Sequence, residues 1–310
     1  MTDKRFETVV VTGGAGFLGS HLVDALVSVS KKVVVIDKKK PRARQKNALA
    51  KYVIADIAHP GTEQLVASYK PEVIFHLAAH IHDRESMREP VMNAENNIVG
   101  SLHVFEAARA VSKTRVVFAS SSVVYGNQEQ IPIVETATPM PLTPYAISQL
   151  ACEQYLRFYF ETFQVPYTVL RMANVYGPRQ DESAESGAVG IFAARFLKGE
   201  PVYINNDGST TRDYVYIADA VDALLRAAHS SFIGIVNVGS GVEVETNAVF
   251  ERVREAVGVQ AAPDYREQIQ DAVKRVALDI HLIGKTFDWS PTVSLEEGIL
   301  KTVEWYRENA

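Results

Sequence analysis

The stretch that decides the fold is residues 9–19, which read VVVTGGAGFLG. A run of β-branched residues stops at glycines, and Phe17–Val29 then carries the apolar spacing of a helix. Because glycine has no Cβ, Gly13, Gly16 and Gly19 let the backbone approach a pyrophosphate, whose charge is stabilised at the helix N-terminus. A plain strand-to-helix turn with accidental glycines is the alternative. The order of strand, glycine turn and helix favours the phosphate-binding interpretation.

Short apolar runs alternate with helical patterns through the first half of the chain. Near-continuous apolar strands separated by helices indicate a parallel sheet covered on both faces. Such a sheet binds its ligands beyond the carboxyl ends of its strands, and polar residues follow several of these runs. The predicted strands are residues 8–11, 33–36, 52–54, 73–75 and 115–118.

The strand–helix rhythm changes after Arg171. Residues 174–190 are rich in Gly, Pro, Ser and Glu, and the later elements are shorter and more polar. A length of 310 residues also corresponds to about two domains at roughly 150 residues each. We therefore expect a larger domain over residues 1–172, to which residues 213–241 return, and a smaller domain over residues 173–310.

Composition and charge exclude several classes of protein. The 47% hydrophobic and 22% charged residues are near globular averages, which excludes a disordered or fibrous chain. A net charge of −5 argues against a nucleic-acid partner. Residues 1–6 lack the apolar core of a signal peptide, and no stretch has the roughly 20 apolar residues of a membrane span. The single cysteine, Cys152, favours a reducing compartment, so we expect a cytoplasmic protein with no membrane partner.

The residues after the second and third strands indicate which dinucleotide would bind. Asp37 lies about 20 residues past the glycines, where a carboxylate accepts hydrogen bonds from the adenosine ribose and repels a 2′-phosphate. This favours NAD over NADP. The cations at residues 38–40 and Arg42 could attract that phosphate, although such a charge run is more often a solvated loop. Asp56 and Ile57 are expected at the adenine, with an ordinary loop aspartate as the alternative.

Eight motifs, in this order and spacing, resemble the extended short-chain dehydrogenase/reductases. Within that group the chain is most similar to the NAD-dependent nucleotide-sugar epimerase/dehydratase family, and there to its UDP-glucose 4-epimerase-like members. The motifs are TGGAGFLG at 12–19, HLAA at 76–79, NIVGS at 97–101, SSSVVYG at 120–126, PYAIS at 144–148, RMANVYGPR at 171–179, RDYV at 212–215 and NVGSG at 237–241.

The resemblance implies a Rossmann-type doubly wound parallel sheet with a smaller C-terminal α/β domain that binds substrate. It also implies NAD as cofactor, a UDP-sugar substrate and a homodimer. Apolar stripes on the predicted helices at 97–111 and 145–163 fit a dimer seam, although one face of each must pack on the sheet. Besides Asp37, Asp56 and Ile57, the residues implied at the cofactor are Gly13, Gly16, Phe17, Leu18, Gly19, Leu77, Ala78, Ala79, Asn97, Tyr145 and Gln149. For Asn97, a helix cap is the alternative.

The chain departs from the family at one catalytic position. The family motif is YxxxK, but Tyr145 is followed four positions later by Gln149. A phenol with a pKa of about 10 is a poor base at neutral pH, and a cation one helical turn away would favour the phenolate. Gln149 can hydrogen-bond a nicotinamide ribose hydroxyl but supplies no charge. Three explanations stay open: a deliberate replacement that traps a complex, a natural loss of activity, or activation of the tyrosine by another group or by the nicotinium charge.

The resemblance assigns the chemistry to Tyr145 and Ser121. Tyr145 would take the proton of a sugar hydroxyl while hydride leaves the same carbon for NAD⁺, and Ser121 would hydrogen-bond the same oxygen. A strand-end serine bonded to backbone groups is the alternative for Ser121. The 4,6-dehydratases of the family carry Asp-Glu directly after this position, whereas this chain has Ser122 and Val123. Without those carboxyl groups, epimerisation is favoured over elimination, and Ser122 is expected to contact the sugar.

Substrate phosphates are expected to bind in the second half of the chain. By resemblance, Asn174 and Arg212 contact the diphosphate, since a guanidinium fork suits two phosphate oxygens. A surface arginine paired with Asp213 is the alternative for Arg212. The later family arginine, in an R-P-G-[DE] context, is missing in that form, and Arg266 and Arg275 are candidates for its role. Of these we assign Arg266 to the substrate.

Two further groups of residues are not assigned to catalysis. His76, His80, His82 and Asp83 lack the pattern of a metal site, so no metal is expected, although His80 and Ser86 are expected to border the substrate. Cys152 is expected to be a buried, inert thiol.

The leading hypothesis is an NAD-dependent nucleotide-sugar 4-epimerase. The alternatives are a non-catalytic homologue that binds NAD or a nucleotide sugar, and a nucleotide-sugar decarboxylase or reductase.

Overall fold

The structure is a computed structural model that describes residues 5–181, 187–267 and 273–309. The chain forms two compact units. Unit 1 comprises Met1–Val124, Pro141–Arg171 and Val221–Val236, and unit 2 comprises Tyr125–Met140, Met172–Ala220 and Asn237–Ala310. This division differs from the expected boundaries in two places. Residues 125–140 fall in unit 2, and only residues 221–236 of the expected 213–241 segment fall in unit 1.

Unit 1 is built on a seven-stranded sheet in the order β11-β6-β5-β4-β1-β2-β3. The strands are β1 (Phe6–Thr12), β2 (Ser30–Asp37), β3 (Lys51–Ile54), β4 (Val73–His76), β5 (Arg115–Ser121), β6 (Tyr167–Met172) and β11 (Gly234–Val238). Strand β1 pairs in parallel with β2 on one side and β4 on the other, so Val11 lies between Val35 and Phe75. The chain therefore winds outwards from β1 in both directions, and a crevice opens where the direction reverses. The predicted Rossmann-type doubly wound sheet is confirmed.

The helices of unit 1 connect these strands. They are α1 (Phe17–Val29), α2 (Thr62–Ser68), α3 (Asp83–Arg88), α4 (Pro90–Ala94), α5 (Gly100–Ala110), α6 (Pro144–Phe163) and most of α8 (Ile217–His229), with a π-helical turn at Glu95–Val99 and short 3₁₀ turns at Ala43–Gln45 and Ser122–Tyr125. Helix α1 has the predicted bounds. The helices cover both faces of the sheet, so its side chains on both faces are removed from water. Val10, Val34 and Ile74 are fully buried. Each such burial stabilises the fold by about 1.5–3 kcal/mol.

Two predictions in unit 1 need correction. The strands are longer than the apolar runs, because exposed residues also join the ladder: β2 begins at Ser30, and Lys32 pairs with Thr8. The predicted helix at 98–111 is also wrong at its start. Pro90 begins helical structure eight residues earlier, and the π turn then leads into α5. Asn97 lies inside that turn and is not a helix cap.

Unit 2 contains short strands and a helical layer. The strands are β7 (Asn174–Tyr176), β8 (Tyr203–Asn205), β9 (Thr211–Arg212), β10 (Tyr214–Tyr216), β12 (Val244–Glu245) and β13 (Asp264–Arg266), paired as β10–β7, β12–β9 and β13–β8. The helices are α7 (Ala188–Lys198), α9 (Thr246–Val257), α10 (His281–Phe287) and α11 (Leu295–Asn309). Phe250 of α9 packs edge-on against Phe192 and Phe196 of α7. Part of the stretch predicted to be irregular, 174–190, is thus β7 and the start of α7, and its residues 182–186 lie outside the described residues.

None of the helices in the described ranges is long and apolar enough to span a bilayer. The reducing compartment expected from the single cysteine stays a prediction.

Candidate functional site

The glycine turn between β1 and α1 is shaped for a close backbone approach. Gly13 has a φ of +74°, and a Cβ there would lie 2.7 Å from the backbone nitrogen of Ala78. A Cβ at Gly19 would collide with the carbonyl oxygen of Gly13. Gly16 occupies the N-cap of α1, where no side chain caps the helix. The first amide groups of α1, at Phe17 and beyond, are therefore disposed to bind an anion such as a pyrophosphate.

Asp37 ends β2 beside the glycine turn. Its Oδ2 accepts a hydrogen bond from the amide of Ala15 at 3.0 Å, and its Oδ1 accepts one from the amide of Lys39 at 2.9 Å. Each carboxylate oxygen keeps a lone pair for a ribose hydroxyl. The side chains of residues 38–40 are exposed, and Lys38 donates to Asn96 at 3.1 Å. This arrangement fits a ribose without a 2′-phosphate.

The residues predicted at the adenine lie just after β3. Asp56 Oδ1 accepts from the amide of Ala58 at 3.0 Å, so this carboxylate stabilises its own turn. Ile57 is buried and lies so close to Gly100 that a Cβ at that glycine would clash with it. Ile57 therefore packs against the start of α5.

The end of β4 is joined to the end of β1 by a buried histidine. His76 Nδ1 lies 2.6 Å from Thr12 Oγ1, and Nε2 lies 2.8 Å from Ser101 Oγ. Because Ser101 donates its hydroxyl hydrogen to the carbonyl of Asn97, it accepts from Nε2–H. Burial lowers the pKa of His76 to about 3, so the imidazole is neutral. The segment that follows, with Ala78 beside Gly13, lies at the same edge of the sheet as the glycine turn.

Asn97 holds the segment after β4 against α6. Its Oδ1 accepts from the amide of His80 at 2.6 Å, and its Nδ2 donates to the His80 carbonyl at 3.1 Å and to Ser148 Oγ at 2.9 Å. The π turn directs this amide into the core, where the residue is 1% exposed. Such turns are frequent at functional sites. A direct contact of Asn97 with the cofactor stays a prediction.

Helix α6 presents Tyr145 in its first turn. Thr143 caps the helix by accepting from the amide of Ala146 at 3.2 Å, and its hydroxyl donates to Asp83 Oδ1 at 2.7 Å. The side chain of Ser121, which ends β5 at the carboxyl edge of the sheet, lies close enough to Tyr145 to lower the pKa of the phenol. The structure therefore brings together the phenol and the hydroxyl that the sequence assigns to the reaction.

The surroundings of Tyr145 favour the protonated phenol. Burial raises its pKa well above the usual value, and the carboxylate of Asp83 raises it further, while the interaction with Ser121 acts in the opposite direction. Gln149, one turn along α6, is 1% exposed, and its Oε1 is buried with no hydrogen-bond partner among the described residues. An unsatisfied buried acceptor costs about 1–3 kcal/mol. The position fits a donor from a ligand, such as a ribose hydroxyl.

The glycine turn, the carboxylate of Asp37 and the unsatisfied oxygen of Gln149 together fit a bound dinucleotide. All three belong to unit 1.

A buried ion pair that was not predicted from the sequence joins Glu153 of α6 to Arg171. Arg171 Nη2 lies 2.6 Å from Glu153 Oε2, and Ser120 Oγ donates to Glu153 Oε1 at 2.5 Å. The ion pair joins α6 to β6, and the hydrogen bond from Ser120 joins α6 to β5 directly beside Ser121. The signal in the sequence was the spacing of Glu153, four residues after Gln149 and therefore on the same helix face.

Ser86 and His80, which were expected to border the substrate, both contact neighbouring elements of unit 1. Ser86 is buried and its Oγ accepts from the amide of Tyr145 at 3.3 Å, so it supports the main chain of α6. His80 Nε2 lies 3.0 Å from Glu85 Oε2.

Cys152 is buried, and burial raises the pKa of its thiol to about 12, which makes it unreactive. Across the described ranges, no group of three His, Cys, Asp or Glu side chains could hold a metal ion.

The residues predicted to contact the sugar and its phosphates occupy several elements. Ser122 follows β5 and is buried. Asn174 begins β7, and its backbone N–H donates to the backbone carbonyl of Asp213 at 2.9 Å. Arg212 lies on β9, and its Nη1 donates to the carbonyl of Thr211 at 2.8 Å. The carboxylate of Asp213 is buried and accepts hydrogen bonds from the amides of residues 240, 241 and 278.

Both candidates for the later arginine are engaged by neighbouring side chains in unit 2. The guanidinium of Arg266 lies 3.1 Å from the centre of the Tyr203 ring. Arg275 binds both carboxylate oxygens of Glu243, at 2.9 and 2.6 Å. Stacking on Tyr203 leaves the in-plane N–H groups of Arg266 as donors, and one of them, on Nη2, lies 3.5 Å from Asp264 Oδ2.

Comparison with known proteins gives a consistent family. The model of the NAD dependent epimerase/dehydratase family matches residues 9–239, which agrees with the predicted cofactor, NAD. The UDP-glucose 4-epimerase of Mycolicibacterium smegmatis is 38% identical, over 97% of this chain and 99% of that protein. The crystal structure of the Thermotoga maritima UDP-glucose 4-epimerase with UDP-glucose is 38% identical with a TM-score of 0.93, and covers 97% of this chain and 99% of that one. A UDP-N-acetylglucosamine 4-epimerase from Methanobrevibacter ruminantium, in complex with UDP-N-acetylmuramic acid, is 32% identical with a TM-score of 0.93, over 99% and 100% of the two chains.

Proposed function

Since the chain belongs to the NAD dependent epimerase/dehydratase family, we propose that it interconverts UDP-glucose and UDP-galactose by epimerisation at C4. The observation that carries the proposal is the proximity of the Ser121 and Tyr145 side chains, whose interaction lowers the pKa of the phenol. This pair lies at the carboxyl edge of the sheet, the same edge as the glycine turn. The 38% identity to a UDP-glucose 4-epimerase supports this choice of substrate.

The two side chains have complementary roles in this proposal. Tyr145 accepts the proton of the C4 hydroxyl and later returns it, while Ser121 donates a hydrogen bond to the same oxygen. NAD, when bound, would supply the two-electron chemistry as acceptor and donor of the C4 hydride. Ser122 and Val123 carry no carboxyl group, so a proton shuttle for elimination is missing at these two positions. The reaction therefore ends in epimerisation.

The residues proposed to bind the cofactor belong to unit 1. We assign the amides of Phe17 and Leu18 to the pyrophosphate, where Gly13, Gly16 and Gly19 keep the approach open. Asp37 accepts from the adenosine ribose, and Gln149 accepts from the nicotinamide ribose through its unsatisfied Oε1. The segment of Leu77, Ala78 and Ala79 is proposed to contact the dinucleotide beside Gly13. Asp56 and Ile57 are proposed to contact the adenine. Asn97 positions the segment after β4 through its hydrogen bonds with His80.

Residues of unit 2 are proposed to hold the nucleotide diphosphate. Arg212 supplies a guanidinium fork and Asn174 an amide. Arg266 is assigned a second cationic contact.

We also propose a homodimer through the outer face of α6. Ile147, Tyr155 and Phe158 are 52%, 40% and 48% exposed, and Ala151 and Gln154 lie between them on the same face. An exposed apolar surface of this kind is typical of an interface.

The test is turnover of UDP-glucose and UDP-galactose by the wild-type chain, by Gln149→Lys and by Tyr145→Phe. We expect slow interconversion by the wild type, faster turnover by Gln149→Lys and none by Tyr145→Phe. If neither the wild type nor Gln149→Lys converts either sugar while NAD still binds, this epimerase function is wrong. UDP-N-acetylglucosamine and UDP-glucuronate are assayed in parallel. Conversion of the first alone would identify an N-acetyl-sugar epimerase. Conversion of the second alone would identify a glucuronate 4-epimerase if the product keeps its carboxyl group, or a decarboxylase if the product has lost it.

A further inference from the structure

The charge around Tyr145 differs from what a lysine at position 149 would create. Gln149 is neutral, and with 1% exposure its amide is held in a largely water-free position. Its Oε1 has no hydrogen-bond partner among the described residues. The position therefore presents a partially negative oxygen where a lysine would place a full positive charge.

The ionised group that acts on Tyr145 is a carboxylate. Asp83 begins α3, and its Oδ1 accepts from the hydroxyl of Thr143 at 2.7 Å. Thr143 is the cap of α6, so this hydrogen bond holds the carboxylate near the turn that contains Tyr145. The electrostatic effect of Asp83 on the phenol has the sign of an anion.

The two redox forms of the proposed cofactor differ by one charge at the nicotinamide ring. The ring is cationic in NAD⁺ and neutral in NADH. A neutral amide and a nearby carboxylate stabilise a cation relative to a neutral ring, whereas a lysine would repel it. We propose that Gln149 and Asp83 make this chain selective for the oxidised cofactor, so that it binds NAD⁺ more tightly than NADH. The inference rests on the proposed placement of the nicotinamide beside Tyr145.

The experiment measures the dissociation constants of NAD⁺ and NADH separately. NADH binding is followed by its fluorescence, and NAD⁺ binding by competition or calorimetry, for the full chain and its variants. We expect the ratio of the NADH constant to the NAD⁺ constant to exceed one for the wild type. In Gln149→Lys the ratio should fall by about tenfold or more, the size of a charge–charge interaction across a few ångströms at a partly buried site.

Two further variants keep the proposal falsifiable if Gln149→Lys does not fold. Asp83→Asn changes an exposed side chain and keeps an acceptor for Thr143, and it should lower the ratio several-fold. Gln64→Lys adds the same charge at an exposed position of α2 and should leave the ratio unchanged. An equal ratio in the wild type, Gln149→Lys and Asp83→Asn would overturn the proposal, as would tighter binding of NADH by the wild type.

The outcomes also separate this inference from the proposed function. A ratio that shifts as expected in a chain without sugar turnover supports the selectivity and contradicts the epimerase. Turnover of UDP-galactose with an unchanged ratio supports the epimerase and overturns the selectivity.

Discussion

Replacing Glu153 with glutamine tests whether the buried ion pair holds α6 in place. The side chains of Arg171 and Glu153 are 3% and 0% exposed. Three contacts of 2.6 to 3.2 Å join them, and Ser120 adds a further hydrogen bond at 2.5 Å. Glu153→Gln keeps the shape of the side chain but leaves the charge of Arg171 buried without its counter-ion. Loss of one partner of a buried pair costs about 3–5 kcal/mol. Because glutamine retains one acceptor oxygen, we expect the free energy of unfolding to fall by about 3 kcal/mol.

The matched control lies on the same helix. Arg157 and Glu161 form an ion pair at 2.9 Å, but their side chains are 63% and 59% exposed. Water screens such a pair, so Glu161→Gln should change the free energy of unfolding by about 0.5 kcal/mol or less. Both variants are compared with the wild type by urea unfolding followed by circular dichroism.

A double variant shows whether the destabilisation comes from the buried charge of Arg171 or from the lost contact. The double variant Glu153→Gln, Arg171→Met removes the buried charge as well, and it should be less destabilised than Glu153→Gln alone. The reasoning is refuted if Glu153→Gln loses less than about 1 kcal/mol, or if it and Glu161→Gln lose the same amount.

Three further predictions concern titration and cofactor choice. Burial and Asp83 raise the pKa of Tyr145, and only the phenolate is a base. The kcat/KM of the wild type should therefore increase with pH through the alkaline range, and Gln149→Lys should move that increase to lower pH. Overlapping pH profiles of the two proteins would contradict this. The pKa of His76 is about 3 when folded and about 6.5 when unfolded, so the unfolded chain binds more protons between these values. Stability should therefore fall as pH decreases from about 6.5 towards 3, by up to about 1.4 kcal/mol per pH unit, and His76→Phe should show a shallower slope in urea unfolding at several pH values; equal slopes would be inconsistent with a buried neutral imidazole. Asp37→Asn should weaken NAD binding by about tenfold and reduce the preference for NAD over NADP in calorimetry, whereas an unchanged preference would remove Asp37 from the ribose site.

The parts of the site that sequence could predict are those encoded in short segments. The glycine turn follows from residues 9–19 alone, because the strand, the conformation of Gly13 and the helix start are local properties. The meeting of Tyr145 with Ser121 followed from family resemblance. The parallel sheet then provides a physical reason, since β4 and β5 end at the same edge.

Other parts depend on contacts between distant segments, which local patterns do not specify. The π turn that directs Asn97 inward is stabilised by His80 and Ser148. The helix cap, which was the alternative to a cofactor contact for Asn97, is therefore not formed. The carboxylate of Glu153 is neutralised by Arg171, 18 residues away. The spacing of Glu153 from Gln149 places the two on one helix face, but it does not show that Arg171 of β6 meets this carboxylate. The contact between the Tyr203 ring and Arg266 could not be predicted from the sequence either, because the two residues meet only through the pairing of β8 and β13.

The central claim is that the C4 hydrogen is taken up and returned within one active site, with Tyr145 exchanging only the hydroxyl proton. The most direct measurement is proton NMR of UDP-galactose incubated with the chain, and with Gln149→Lys, in deuterium oxide. UDP-glucose should appear with its original hydrogen at C4 and no deuterium there. Deuterium at C4 of the product would instead mean that the carbon exchanges a proton with solvent, which rules out direct return of the same hydride.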